Sequence, residues 1–119
     1  MTSYVYIICT VIDGSYCAPV KVGMSENPEG RISTLQTGNP NQLHLYQTFS
    51  LPNRDIAEAI ESAFHQVCSN RRMVGEWFSI SPTQTAALME CNIRSHVEIH
   101  CGFSGLDAEK VIELCMAGV

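Results

Sequence analysis

The residues from Tyr4 to Ile12, Tyr-Val-Tyr-Ile-Ile-Cys-Thr-Val-Ile, constrain this chain more than any other stretch. They are mostly β-branched or aromatic and too few for a helix of their own, so they read as a strand buried in a core. The turn dipeptide Asp13-Gly14 follows, and a loop through Pro19 leads to a second extended run, Val20-Lys21-Val22-Gly23-Met24. The pair predicts a hairpin whose loop is longer than a tight turn.

The remaining elements follow from punctuation and period. Asn27-Pro28 supplies an N-cap and a proline at the first helical position, and Ile32 and Leu35 give a short helix stopped by Gly38, Asn39 and Pro40. Residues 43–51 alternate with period two, which places Leu43, Leu45, Phe49 and Leu51 on one face of a strand. The clearest helix is 54–68, with Ile56, Ala59, Ile60, Ala63, Phe64 and Val67 as its apolar stripe. Gly75 to Ile80 reads as a short extended piece. Ser81-Pro82 launches a helix to about Met89 or Cys91, 93–101 reads as extended, and a last amphipathic helix covers Leu106 to Met116.

With 119 residues the chain has room for one core, and 45% hydrophobic against 16% charged residues marks it as globular. No apolar run approaches the roughly 20 residues of a membrane span, and the first residues lack the basic start of a secretory signal. The expectation is a soluble intracellular protein with no membrane partner. Cys9, Cys17, Cys68, Cys91, Cys101 and Cys115 are scattered without a CxxC pair, which reads as reduced thiols. A zinc site built on His65 with Cys68, or on His96, His100 and Cys101, lacks a second ligand pair at the usual spacing. Seven Lys and Arg against twelve Asp and Glu leave a charge of −5. That balance argues against a general nucleic-acid coat, though not against a grip on one phosphate.

Tyr6 lies in the first strand, Lys21 in the second and Arg31 one turn into the first helix; Glu61 and His65 are four apart on one face of the long helix. Together they suit phosphodiester hydrolysis. A phenol near a cation can relay a proton, a carboxylate can hold Mg²⁺, and an arginine matches the charge spread on the phosphorane. Singly, each has a plainer reading: Tyr6 as a core aromatic, Lys21 and Arg31 as surface charges, Glu61 and His65 as a helix-surface pair.

The ordered set Tyr4-Val5-Tyr6-Ile7-Ile8, Val20-Lys21-Val22-Gly23-Met24-Ser25, Asn27-Pro28, Arg31, Leu35 to Pro40, Glu61 to His65 and Gly75-Glu76-Trp77-Phe78 resembles the GIY-YIG endonuclease superfamily, in particular the branch typified by a phage T5 reading frame. The resemblance covers Tyr4 to Ile80, about two-thirds of the chain. It implies an α/β (α+β) domain over residues 1–81, a central three-stranded antiparallel sheet flanked by helices, with 82–119 a helical extension packed on it. It implies metal-dependent endonuclease activity on nucleic acid, DNA foremost, with Mg²⁺ (or Mn²⁺) on Glu61. Tyr6, Lys21, Arg31 and His65 fall to catalysis, Arg54, Arg71 and Arg72 to nucleic-acid contact, and Gly23, Glu76 and Trp77 to support. Trp77 and Phe78 are most simply core packing.

Two departures from the family pattern matter. The first signature lacks its glycine, and Lys21 stands where the second usually carries tyrosine, so a two-tyrosine mechanism is not implied. A lysine there can lower a nearby phenol pKa or assist the water. The acidic balance leaves a second hypothesis, a catalytically idle module of this fold that binds or inhibits a protein partner, or pairs with a second copy. Convergence of Lys21, Arg31, Arg54, Arg71 and Arg72 on one face would favour the nuclease.

Overall fold

A computed structural model describes residues 2–100, with side chains through residue 97. Strand β1 (Ser3–Ile12) and strand β2 (Ser15–Ser25) form a hairpin; helix α1 (Pro28–Gln36), strand β3 (Gln42–Leu51), helix α2 (Arg54–Val67), the two-residue strand β4 (Trp77–Phe78) and helix α3 (Pro82–His100) follow. The sheet is antiparallel with order β3-β1-β2-β4. The fold is therefore the expected small α+β architecture, its sheet one short strand wider than the three predicted.

The hairpin is tighter than its sequence suggests. Asp13 and Gly14 both have positive φ, +50° and +79°, and Ile12 pairs directly with Ser15. This is the primed two-residue turn whose twist matches the strands. The predicted loop over 15–19 is strand. Cys9 pairs with Val20 and Thr10 with Cys17, leaving Ala18 and Pro19 in a bulge that accommodates a residue with no N–H for the ladder. The Thr10 hydroxyl donates to the Pro19 carbonyl at 3.0 Å.

β1 is buried on both faces. Val5, Ile7 and Cys9 join Val20, Val22, Phe49, Leu51, Ile60, Phe64 and Phe78 in the main core, while Tyr6 and Ile8 form a second cluster with Leu43, against which Ile32, Leu35, Leu45 and Trp77 pack. β3 does not keep one apolar face. Ile7 pairs with Gln47 and Ile8 with Leu45, so Tyr46 is an extra residue. Leu43 and Leu45 consequently serve the α1 side, whereas Phe49 and Leu51 serve the main core. Period-two reasoning fails at a bulge because the extra residue inverts every later side chain.

Asn27 caps α1, accepting from Gly30 N at 3.1 Å with Pro28 in the first turn, and Asn53 caps α2, accepting from Ile56 N at 3.0 Å. α2 buries Ala57, Ile60 and Phe64; Ala59 and Val67, read as stripe residues, are exposed, Val67 at 70%. Ser81 opens α3, its Oγ accepting from Gln84 N at 3.2 Å. The segment from 93, expected to be extended, continues α3, because Met89, Ile93 and Val97 fall on one helical face and fill the main core. The predicted helix over 106–116 lies outside the described residues.

No described helix is long and apolar enough to cross a membrane. Among the described residues Cys9, Cys17, Cys68 and Cys91 are free thiols, and burial raises the Cys9 pKa to about 11.

Candidate active site

Tyr6 and Gly23 face each other across the central strand pair, as do Ile8 and Lys21. Alternation therefore places Tyr6, Lys21 and Gly23 on the α1 side of the sheet. Gly23 is there because nothing larger fits. A Cβ at that position would lie 2.4 Å from the Tyr6 hydroxyl, 2.6 Å from its Cζ and 3.2 Å from Oε1 of Glu76. The missing side chain is the space in which the phenol and the Glu76 carboxylate meet.

Glu76 enters from the turn preceding β4, and its carbonyl accepts from Val22 N at 3.2 Å, which ties that turn to β2. Its Oε1 lies 3.1 Å from Lys21 Nζ, an ion pair in which Lys21 is 7% exposed as a whole residue. Trp77, the sheet partner of Lys21, closes over the ammonium, with its ring centre 5.8 Å from Nζ. Phe78 is fully buried, as core packing requires, and Trp77 is half-buried.

α2 contributes from the other side of β2. Glu61 and His65 stand one turn apart, 3.7 Å between Oε1 and Nε2. The ring is fixed from two directions: Nε2 lies 2.9 Å from the Val22 carbonyl, which can only accept, and the Phe78 ring meets it edge to face at 5.0 Å. Nε2 therefore carries the proton in that contact, and Nδ1 is the basic atom of the neutral ring. One donor atom each from Glu61, His65 and Glu76 lie within 4.8 Å of one another.

The electrostatics follow from two carboxylates close together and partly buried. Burial, and then hydrogen bonding and repulsion from Glu76, raise Glu61 to about 7. Burial also works to raise Glu76, but hydrogen bonds from Glu61 and Lys21 and the Lys21 charge outweigh it and hold Glu76 below its usual range. The pair thus shares one proton near neutral pH, with Glu61 carrying it. Burial raises the Tyr6 phenol despite the nearby Arg31 guanidinium. Tyr6 is accordingly a neutral phenol, and the Lys21 charge is engaged by Glu76.

Arg31, exposed on α1, is close enough to Tyr6 to lower its pKa. Arg72 lines a groove of about 600 Å³ on the α2 side together with Glu61, Ser62, His65 and Gln66; its Nε donates to the Gly75 carbonyl. Arg54 and Arg71 are not brought to this site. Arg54 begins α2 about two turns before Glu61. Arg71 donates to the Ser79 carbonyl at 3.3 Å and lines a separate groove with Ile80 and Leu88 of the α3 side. Cys68 and His96 are absent from the metal-capable cluster found among the described residues.

The structure brings the side chains of Tyr6, Lys21, Arg31, Glu61 and His65 into one region. Glu76, expected as a supporting residue, pairs with Lys21, hydrogen-bonds Glu61 and lies beside His65. The available signal was the acid in Gly75-Glu76-Trp77-Phe78, directly before a strand that pairs with Lys21.

The family model for the T5orf172 domain matches residues 3–93. No curated protein and no solved structure matches the chain.

Proposed function

The chain belongs to the T5orf172 domain family, and from that premise we propose that it is a divalent-metal-dependent phosphodiesterase that cuts nucleic acid, DNA foremost. The observation that carries the reading is the meeting of the Glu61, His65 and Glu76 donors, within 4.8 Å of one another, beside Tyr6, Lys21 and Arg31.

The donor set suits Mg²⁺ or Mn²⁺. Two carboxylates with room for water are how Mg²⁺ is usually held, and the Nε2 of His65 is already committed to Val22. When bound, such an ion supplies Lewis-acid stabilisation to phosphate oxygens and activates water. Glu61 and Glu76 are the carboxylates that would hold it. Arg31, exposed on α1 beside Tyr6, neutralises the charge that builds on the phosphorane. Tyr6 orients the attacking water through its phenol oxygen, and His65 offers Nδ1 as proton acceptor. Lys21 keeps Glu76 ionised and aimed, and Trp77 shields that pair from solvent.

A second reading, a catalytically idle module for a protein partner or a second copy, draws on the acidic balance and on the failure of Arg54 and Arg71 to join the site. Incubating supercoiled plasmid with the protein, with and without Mg²⁺ or Mn²⁺, beside Glu61→Ala, separates the two. Metal-dependent nicking lost in Glu61→Ala supports the phosphodiesterase. Pure, folded protein that cuts neither DNA nor RNA with either metal rejects it.

A further inference from the structure

A second cavity lies on the Tyr6 side of the sheet and has no part in holding metal. It encloses about 310 Å³ between the start of α1 and strands β1 and β3, and is lined by Tyr4, Leu45, Gln47, Thr48, Glu26 and Glu29 among others. Resting on the phosphodiesterase reading, we propose that this cavity is a base-recognition subsite for an unstacked nucleobase bearing an exocyclic amino group, carried by the nucleotide next to the phosphate that is cut.

The first support is position. Tyr4 is two residues before Tyr6 on the same face of β1, about 7 Å along the strand, and Thr48 is the cross-strand partner of Tyr6. The α1 residues of the wall lie one turn before Arg31, whose N–H bonds the Asn27 carbonyl at 3.0 Å; a turn is about 5.4 Å. The cavity wall therefore lies one strand pairing from Tyr6 and one helical turn from Arg31, the phenol and the guanidinium that would meet the phosphate, although neither residue lines it. A base attached to that phosphate reaches it without a second binding element.

The second support is chemistry. Tyr4 and Leu45 give the wall an aromatic and an aliphatic surface against which a planar ring can stack and be buried. Glu26 and Glu29 put carboxylates at the rim and Gln47 adds an amide. Thr48, only 6% exposed, lines the wall and offers a hydroxyl side chain there. A carboxylate rim repels phosphate and accepts from N–H groups. Cytosine N4 and adenine N6 donate, whereas thymine and uracil present a carbonyl in the corresponding place. Discrimination of roughly fivefold to a hundredfold is the scale of one good base contact. A concave site also requires the base to leave its stack, so the substrate is single-stranded or distorted at this step.

The test uses single-stranded oligonucleotides that differ only in the base on either side of the cleaved bond: cytosine against thymine, and adenine against purine, which lacks the amino group. Cleavage is followed with Mn²⁺, and equilibrium binding by fluorescence anisotropy without metal. The expected result is a preference for cytosine and adenine of fivefold or more at one flanking position, in both readouts. That preference is lost in Glu26→Gln/Glu29→Gln, and separately in Thr48→Val, with folding checked by circular dichroism. Equal cleavage of all four substrates, or a preference that survives the double variant, overturns the subsite and leaves the phosphodiesterase standing. Base discrimination in binding with no cleavage under any metal does the reverse. Absence of both binding and cleavage overturns both.

Discussion

The Nζ of Lys21 lies 3.1 Å from Oε1 of Glu76, on the same carboxylate that shares a proton with Glu61. One lysine thus sets which of two neighbouring acids is ionised: Glu76 is, and Glu61 holds the proton. A divalent cation arriving at this pair would compete with both the ammonium and the proton, so metal affinity, pH and Lys21 are coupled through one group.

Replacing Lys21 by methionine should separate binding from turnover. The competing ammonium is removed, so Mn²⁺ affinity measured by calorimetry should rise severalfold, while the cleavage rate should fall by about tenfold or more as Glu76 loses its aim. Weaker metal binding with an unchanged rate would show that Lys21 does not act through Glu76.

The pH dependence has a definite sign. The folded-state pKa of Glu61 is raised to about 7 from an unfolded value of 4.5. The folded protein therefore binds the extra proton between those values and loses stability as pH climbs through 7. The expected loss is roughly 1–2 kcal/mol between pH 5 and 8.5, read as a falling Tm without metal. Glu61→Gln should flatten that profile and raise Tm at pH 8.5 while abolishing cleavage. A Tm in Glu61→Gln that falls by as much as in the parent over this range would contradict the shared proton. Metal binding should strengthen across the same window and release close to one proton.

Gly23→Ala should cost activity out of proportion to its size. The added methyl would stand 2.4 Å from the Tyr6 hydroxyl with Glu76 behind it. The phenol must move, and both ring and strand are packed, so a stability loss of about 1–3 kcal/mol is expected. The cleavage rate should drop about a hundredfold or more. Denaturant unfolding and single-turnover cleavage measure the two effects on one sample.

Tyr6→Phe is the complementary change. It keeps the ring in the Ile8 and Leu43 cluster and deletes only the oxygen. Tm should move by no more than about 1 kcal/mol equivalent, while the cleavage rate falls by about 10²-fold to 10⁴-fold. A variant that still cuts at the parent rate would assign Tyr6 to packing alone.

Ending the chain after residue 81 should leave a protein that does not unfold cooperatively. Met89, Ile93 and Val97 of α3 fill the core, and the Asn92 amide donates to the Ile60 carbonyl at 2.8 Å, directly before Glu61. Near-ultraviolet circular dichroism and a urea titration decide the matter.

Much of this molecule was legible from its residues, and the illegible parts share a cause. Caps and turns at Asn27-Pro28, Asp13-Gly14 and Ser81-Pro82 are local, so reading them needed no partner. Tyr6, Lys21, Arg31, Glu61 and His65 stand out as a group in the sequence because their motifs occur in a fixed order. The bulges at Pro19 and Tyr46 were not found, since each is a mismatch between two strands and neither strand alone displays it. The helical fate of residues 93–100 depended on a core face supplied by other elements. Glu76 was undervalued for the same reason: its importance comes from β4 settling beside Lys21, which local sequence does not announce.

The extra residue at Tyr46 has a consequence for how the protein can change. It acts as a phase slip, so that one strand belongs to two layers in succession. The half carrying Leu43 and Leu45 floors the reactive side, and the half carrying Phe49 and Leu51 anchors the main core. Substitutions at Leu43 and Leu45 can retune the reactive side with little burden on the main core, and those at Phe49 and Leu51 can adjust robustness with little effect on chemistry. Deleting Tyr46 would fuse the two roles again.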